Sequence, residues 1–250
     1  MMKRLFLILL FFTLIETAWA DSSFWTDVTW TTPDGVKMAG LLHKPALPSH
    51  YTWVLLHGLG SNKEEWDTFA RRLGIQGQGV FIYDLRGHGA SNQTVQGETI
   101  SYHSWQTGGP GTAWEAMPGD LAGAVEMVHK RYQIPYNRIA VGGASLGANV
   151  ALIYASQSSK VPALILLSPG LSYAGIESEP ALKRFGRRPL FMAASPDDRY
   201  AYSSVIQLAQ WRKDPDCFLA EGPGAMHGVN MFQGSFTQQL LDWMNKVEKH

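Results

Sequence analysis

What most constrains this chain is a run of short apolar segments, each followed by a helix-like stretch. Thr52 to His57, Val80 to Tyr83, Arg138 to Val141, Ala163 to Leu167, Leu190 to Ala194 and Cys217 to Ala220 are the apolar runs. Segments this short and this uniformly apolar read as strands buried on both faces. Residues 63–73, Asp120 to Tyr132, Leu146 to Gln157, Tyr202 to Trp211 and Ser235 to Glu248 read as helices. In the last of these Phe236, Leu240, Met244 and Val247 share a face. Phe24 to Thr31 and Val36 to His43 flank the turn Pro33-Asp34-Gly35 and predict a hairpin. The fold expected is α/β. It has an eight-stranded, mostly parallel sheet, an antiparallel N-terminal hairpin and helices on both faces. Chemistry in such a sheet sits beyond the carboxyl ends of the strands.

The first 20 residues stand outside this pattern. Lys3 and Arg4 precede the apolar run Leu5 to Ile15, and Ala18-Trp19-Ala20 is a small-x-small cleavage site. That is the arrangement of a secretory signal peptide cleaved after Ala20, with a run too short for a comfortable membrane span. The expectation is a secreted or periplasmic protein with one domain over residues 21–250 and no stable membrane span after cleavage. Without Lys3, Arg4 and Glu16 the chain carries 19 Lys and Arg against 20 Asp and Glu, so no basic surface points to nucleic acid. Cys217 is the only cysteine, which excludes an internal disulfide and reads as a buried thiol on a strand. No cysteine pair, His-x-x-x-His or carboxylate cluster suggests a metal, and no cofactor is expected.

Gly143-Ala144-Ser145-Leu146-Gly147 fits G-x-S-x-G, with a strand running into Ser145 and a helix leaving it. A tight strand-to-helix turn lifts a serine hydroxyl out of the sheet and needs small residues two before and two after it. Ser145 is therefore the candidate nucleophile. Ser172, in Gly170-Leu-Ser-Tyr-Ala174, is rejected because no strand feeds it and no periodic helix follows.

With these motifs the chain resembles the α/β-hydrolase superfamily over essentially all of residues 24–248. The resemblance implies a triad in the order Ser, then Asp or Glu, then His. Of the two histidines after Ser145, His250 is the last residue, whereas His227 follows the final strand in Gly224-Ala-Met-His-Gly228. His227 is the base the resemblance implies. For the acid, Glu177 and Glu179 lie in a polar stretch, Asp214 and Asp216 precede the last strand, and Glu221 is a weak candidate. Asp197 and Asp198 follow the strand Leu190 to Ala194. Ser195-Pro-Asp-Asp198 takes the place of the family's Gly-x-x-Asp turn, with Ser for Gly, which favours Asp198 over Asp197.

The likeness also implies an oxyanion hole from the backbone N–H groups of Leu59, in His57-Gly58-Leu59-Gly60, and Leu146. His57 would brace that loop, and Asp84-Leu-Arg-Gly-His-Gly-Ala-Ser91 would hold neighbouring loops through Asp84 and Arg86. About 20 residues between Leu167 and Leu190 leave no room for a large cap, so the site should be open to accessible esters. Tyr102, Trp105 and Trp114 lie in a long stretch, Asn92 to Gly119, that reads as irregular. They are expected either to line the substrate pocket or simply to cover the sheet. The function expected is that of a serine hydrolase, a carboxylesterase acting on a small-molecule ester. A peptidase or amidase of the same fold, and a binding protein that has lost catalysis, are the alternatives.

Overall fold

The computed structural model describes residues 24–106 and 111–249. The expected signal peptide and His250 lie outside the described residues. The chain builds the main sheet from β1 (Thr26–Thr31), β2 (Val36–His43), β3 (Thr52–Leu56), β4 (Gly79–Tyr83), β5 (Gln93–Thr94) and β6 (Ile139–Ala144). β7 (Leu164–Leu167), β10 (Leu190–Ala194) and β11 (Cys217–Glu221) complete it, while β8 (Ser172–Tyr173) and β9 (Ile176–Glu177) form a separate small hairpin. The strand order is β1-β2-β4-β3-β6-β7-β10-β11, antiparallel from β1 to β4 and parallel from β4 onward. Every residue of β3, β4, β6, β7 and β10 is buried, as two-sided coverage requires.

The helices are α1 (Asp67–Ile75), α2 (Ala113–Tyr132), α3 (Leu146–Gln157), α4 (Glu179–Phe185), α5 (Arg199–Ala209) and α6 (Gly234–Glu248). Side chains of α2 to α5 pack on one face of the sheet and those of α1 and α6 on the other. The mostly parallel sheet, the N-terminal hairpin and the helices on both faces stand as expected. The eight expected strands form the main path, and β5 adds a ninth by pairing with β2. Between β7 and β10 there is only the β8–β9 hairpin and α4.

The irregular reading of Asn92 to Gly119 needs two corrections. β5 lies inside it, and α2 begins at Ala113, seven residues before Asp120. Pro118 and Gly119 resemble a helix stop, and a proline inside a helix costs about 3 kcal/mol. The helix persists because Trp114, Met117 and Leu121 continue the buried stripe of Ala124, Val125 and Val128. Burying two side chains the size of Trp114 and Met117 contributes about 2–3 kcal/mol each, which offsets the proline.

Candidate active site

Ser145 stands at the end of β6 with φ 54° and ψ −120°, outside the α region of the helix that follows it. A non-glycine residue with positive φ costs free energy and persists only where its surroundings over-determine it. Those surroundings are tight. A Cβ on Gly143 would lie 2.3 Å from the main chain of Gly147, and one on Gly147 would lie 2.5 Å from the carbonyl oxygens of Leu56 and His57. The Ser145 N–H donates to the Leu167 carbonyl at 2.8 Å, tying the turn to β7. The G-x-S-x-G spacing is thus a steric requirement of bringing α3 down against β3.

His227 and Asp198 meet. The parallel strands put the ends of β6, β10 and β11 on one rim. The His227 ring nitrogen Nδ1 lies 2.5 Å from Asp198 Oδ2. A Cβ on Gly228 would come 3.1 Å from that of Ala144, so the His227 loop rests against the residue preceding Ser145. The Gly228 N–H also donates to Ser168 Oγ at 2.9 Å.

The other carboxylates are elsewhere. Asp197 is exposed and uses its N–H to reach the Gly224 carbonyl. Glu221 accepts from the Tyr202 phenol, Asp214 pairs with Arg212, and Glu179 pairs with Lys183.

Leu146 directly follows Ser145, and the loop leading to Leu59 passes close by, since a Cβ on Gly58 would lie 3.4 Å from that of Ser145. Leu146 opens α3, where N–H groups have no acceptor within the helix. Among the described residues no acceptor engages the Leu59 N–H either. The loop carrying Leu59 is braced from beneath. His57, fully buried, accepts the Leu85 N–H on Nε2 at 2.9 Å, so its proton sits on Nδ1 and is donated to the Gly58 carbonyl at 2.7 Å. Burial pulls its pKa down to about 4 and keeps the ring neutral. Glu65 accepts the Gly58 N–H at 3.0 Å, and burial raises its pKa. With that N–H turned to Glu65, the next N–H, that of Leu59, stays available to a ligand.

Two buried ionic clusters hold the surrounding loops. Asp84 accepts from the Lys63 N–H, the Lys63 ammonium and the Ala90 N–H at 2.8–2.9 Å. Arg86 forks onto Asp120 with two bonds of 2.5 Å and reaches Asp34 at 2.8 Å. Burial pushes the Asp120 pKa up against the pull of Arg86.

The three aromatic candidates separate. Tyr102 stacks on His88 with centroids 4.1 Å apart, and a Cβ on Gly60 would lie 3.2 Å from its hydroxyl, so it borders the Leu59 loop. Trp105 is half-buried over Gly87 and meets Trp114 edge-on at 4.9 Å. Trp114 is a correction: it sits on the first turn of α2, buried, with Nε1 donating to the Gln106 carbonyl at 2.9 Å. It packs the core beneath Trp105 and presents no face to a ligand. Cys217 is half-buried on β11, and burial pushes its thiol up to about 11.

Sequence reasoning missed Glu65, Ser168 and Tyr173. Ser168 directly follows β7 on the reactive rim, a position the strand-end rule could have flagged. Tyr173 lies in the rejected Gly170–Ala174 motif, and only the folding of that segment back toward the end of β7 lets its hydroxyl donate to the Ser168 carbonyl at 3.4 Å.

The comparisons with known proteins fit this geometry. A family model described as serine aminopeptidase, S33, matches residues 48–230. No curated protein matches the chain in sequence. Among solved structures, an esterase of Pyrococcus furiosus superposes with a TM-score of 0.70 at 20% identity, over 90% of this chain and 92% of that one. A 2,6-dihydroxy-pseudo-oxynicotine hydrolase gives 0.70 at 18% identity, over 89% of this chain and 68% of that one. Acetyl xylan esterase 1 from Thermoanaerobacterium sp. gives 0.69 at 16% identity, over 90% of this chain and 84% of that one. At these identities the likeness is one of fold.

Proposed function

The chain belongs to the serine aminopeptidase S33 family of α/β-hydrolases, and from that premise we propose that it hydrolyses carboxylic esters through Ser145, His227 and Asp198. The observation that carries the proposal is the His227–Asp198 pair delivered to the rim on which Ser145 is held in a strained turn. His227 takes the Ser145 proton as the serine oxygen attacks the ester carbonyl. The N–H groups of Leu59 and Leu146 receive the oxyanion. The alcohol leaves with a proton from His227, and water activated by the same imidazole frees the acid and restores Ser145. Asp198 holds the His227 proton on Nδ1 and stabilises the imidazolium.

The small span between β7 and β10 supports an accessible site suited to small-molecule esters. The N-terminal sequence supports export, with the mature chain beginning after Ala20. The family's description as aminopeptidases favours amide hydrolysis as a second reading.

Purified protein should take a fluorophosphonate label on Ser145 and cleave nitrophenyl esters faster than aminoacyl nitroanilides. Labelling that survives Ser145→Ala would sink the assignment of the nucleophile, and faster nitroanilide cleavage would establish the peptidase reading instead.

A further inference from the structure

β7 stands between the strand that carries Ser145 and the strand that leads to Asp198. Its last residue, Leu167, is in register with Ala144 of β6 on one side and with Ala193 of β10 on the other. Leu167 and Ser168 together reach all three segments that bear the triad. The Leu167 carbonyl accepts the Ser145 N–H at 2.8 Å. The Ser168 N–H donates to the Ala193 carbonyl at 2.7 Å, just before the turn that ends in Asp198. The Ser168 hydroxyl oxygen accepts the Gly228 N–H at 2.9 Å, directly after His227.

Ser168 keeps this place against its local preference. It is fully buried with φ 49°, a region that disfavours any side chain. It also precedes Pro169, and a residue before proline favours extended backbone. Strain of this kind persists where the surroundings over-determine it. Here the surroundings are the Ala193 and Gly228 bonds and the Tyr173 hydroxyl, which donates to the Ser168 carbonyl at 3.4 Å.

What the Ser168 hydroxyl fixes is the peptide plane that joins His227 to Gly228. At one end of that plane the His227 carbonyl accepts the Asn230 N–H at 3.1 Å. At the other end the Gly228 N–H is held by Ser168. The peptide is planar, so a bond at each end sets its direction, and with it the direction in which the His227 side chain departs. Asp198 steers the imidazole at Nδ1 alone, and the His227 residue is half-buried. Its backbone therefore needs a hold of its own.

We infer that Ser168 is a positioning residue for the triad, holding the His227 backbone so that the imidazole stands where it can take the Ser145 proton. The inference rests on the serine-hydrolase reading above. Ser168 transfers no proton in this role and acts only through His227.

The test uses two variants and a second background. Ser168→Ala and Ser168→Gly both remove the acceptor, and glycine also relieves the backbone, so a loss shared by both comes from the missing bond. Misplacing a catalytic group by about 1 Å costs about a hundredfold, so kcat on p-nitrophenyl butyrate should fall about tenfold to a hundredfold in both variants, with KM within about twofold. Each change is then made on a His227→Ala background, whose residual hydrolysis no longer uses the imidazole. There it should cost less than about twofold, because residues that act as a unit are not additive. A loss that persists in full without His227 would show that Ser168 supports Ser145 or the fold at large, and would overturn the inference. Near wild-type kcat in either variant, or a loss carried by KM, would overturn it too. A His227→Ala protein as active as wild type removes the serine-hydrolase reading itself.

Discussion

Replacing Asp198 by Asn tests the acid directly. The carboxylate stands 2.5 Å from His227 Nδ1, and the charge it contributes is felt most when His227 becomes an imidazolium. Two unit charges about 4 Å apart at an effective dielectric of about 20 attract by about 4 kcal/mol, or about three powers of ten in rate. The His227 side chain is 42% accessible, so water screens part of this, and a loss of roughly 10²–10³ in kcat is expected. Asparagine adds a second defect in the same direction. Its amide can donate to Nδ1, which leaves the proton on Nε2, where Ser145 needs an acceptor. The assay is steady-state hydrolysis of a nitrophenyl ester, with kcat and KM determined separately. The loss should fall on kcat, because the acid touches no part of the substrate. Asp197→Asn, an exposed neighbour, should stay within about twofold. If Asp198→Asn retains more than about a fifth of wild-type kcat, or if Asp197→Asn is the damaging change, the assignment of the acid is wrong.

Arg86→Leu should cost about 3–5 kcal/mol in urea unfolding, because it strands the Asp120 carboxylate, whose side chain is 2% accessible. With Arg86 gone, burial and the nearby Asp34 charge both raise the folded pKa of Asp120 further, so the deficit should shrink as pH falls from 8 to 5; a deficit independent of pH would refute this account. His57 has a folded pKa of about 4 against about 6.5 for a free imidazole. The unfolded chain therefore binds the proton first, and the stability due to the neutral ring is complete above pH 6.5 and lost as pH falls to 4. That loss is about 3 kcal/mol at most, and unfolding midpoints from pH 7 to 4 should show it. A His57→Gln variant with the same slope would show that other groups carry the effect.

Much of the fold was legible because its causes are local. Buried two-faced strands need runs such as Leu164 to Leu167, amphipathic helices need stripes such as that of α6, and both survive without knowing the neighbours. Ser145 was legible for the same reason, since the clash that excludes side chains at Gly143 and Gly147 belongs to one five-residue turn. The full extent of α2 was not legible. Pro118 and Gly119 oppose a helix locally, and only the core that receives Trp114 and Met117 reverses the balance. That reversal moved Trp114 from a presumed loop into the interior.

The sequence by itself determined the alternation of strands and helices, the strained serine turn, and a short set of acids and histidines at strand ends. Only the tertiary structure decided which members of that set meet. The order β3-β6-β7-β10-β11 sets the Leu59 loop on one side of Ser145 and gathers Ser168, Tyr173, Asp198 and His227 on the other. Strand order arises from packing the whole chain, and no single segment encodes it. Distances such as the 2.5 Å between His227 and Asp198, 29 residues apart, are therefore set by the sheet.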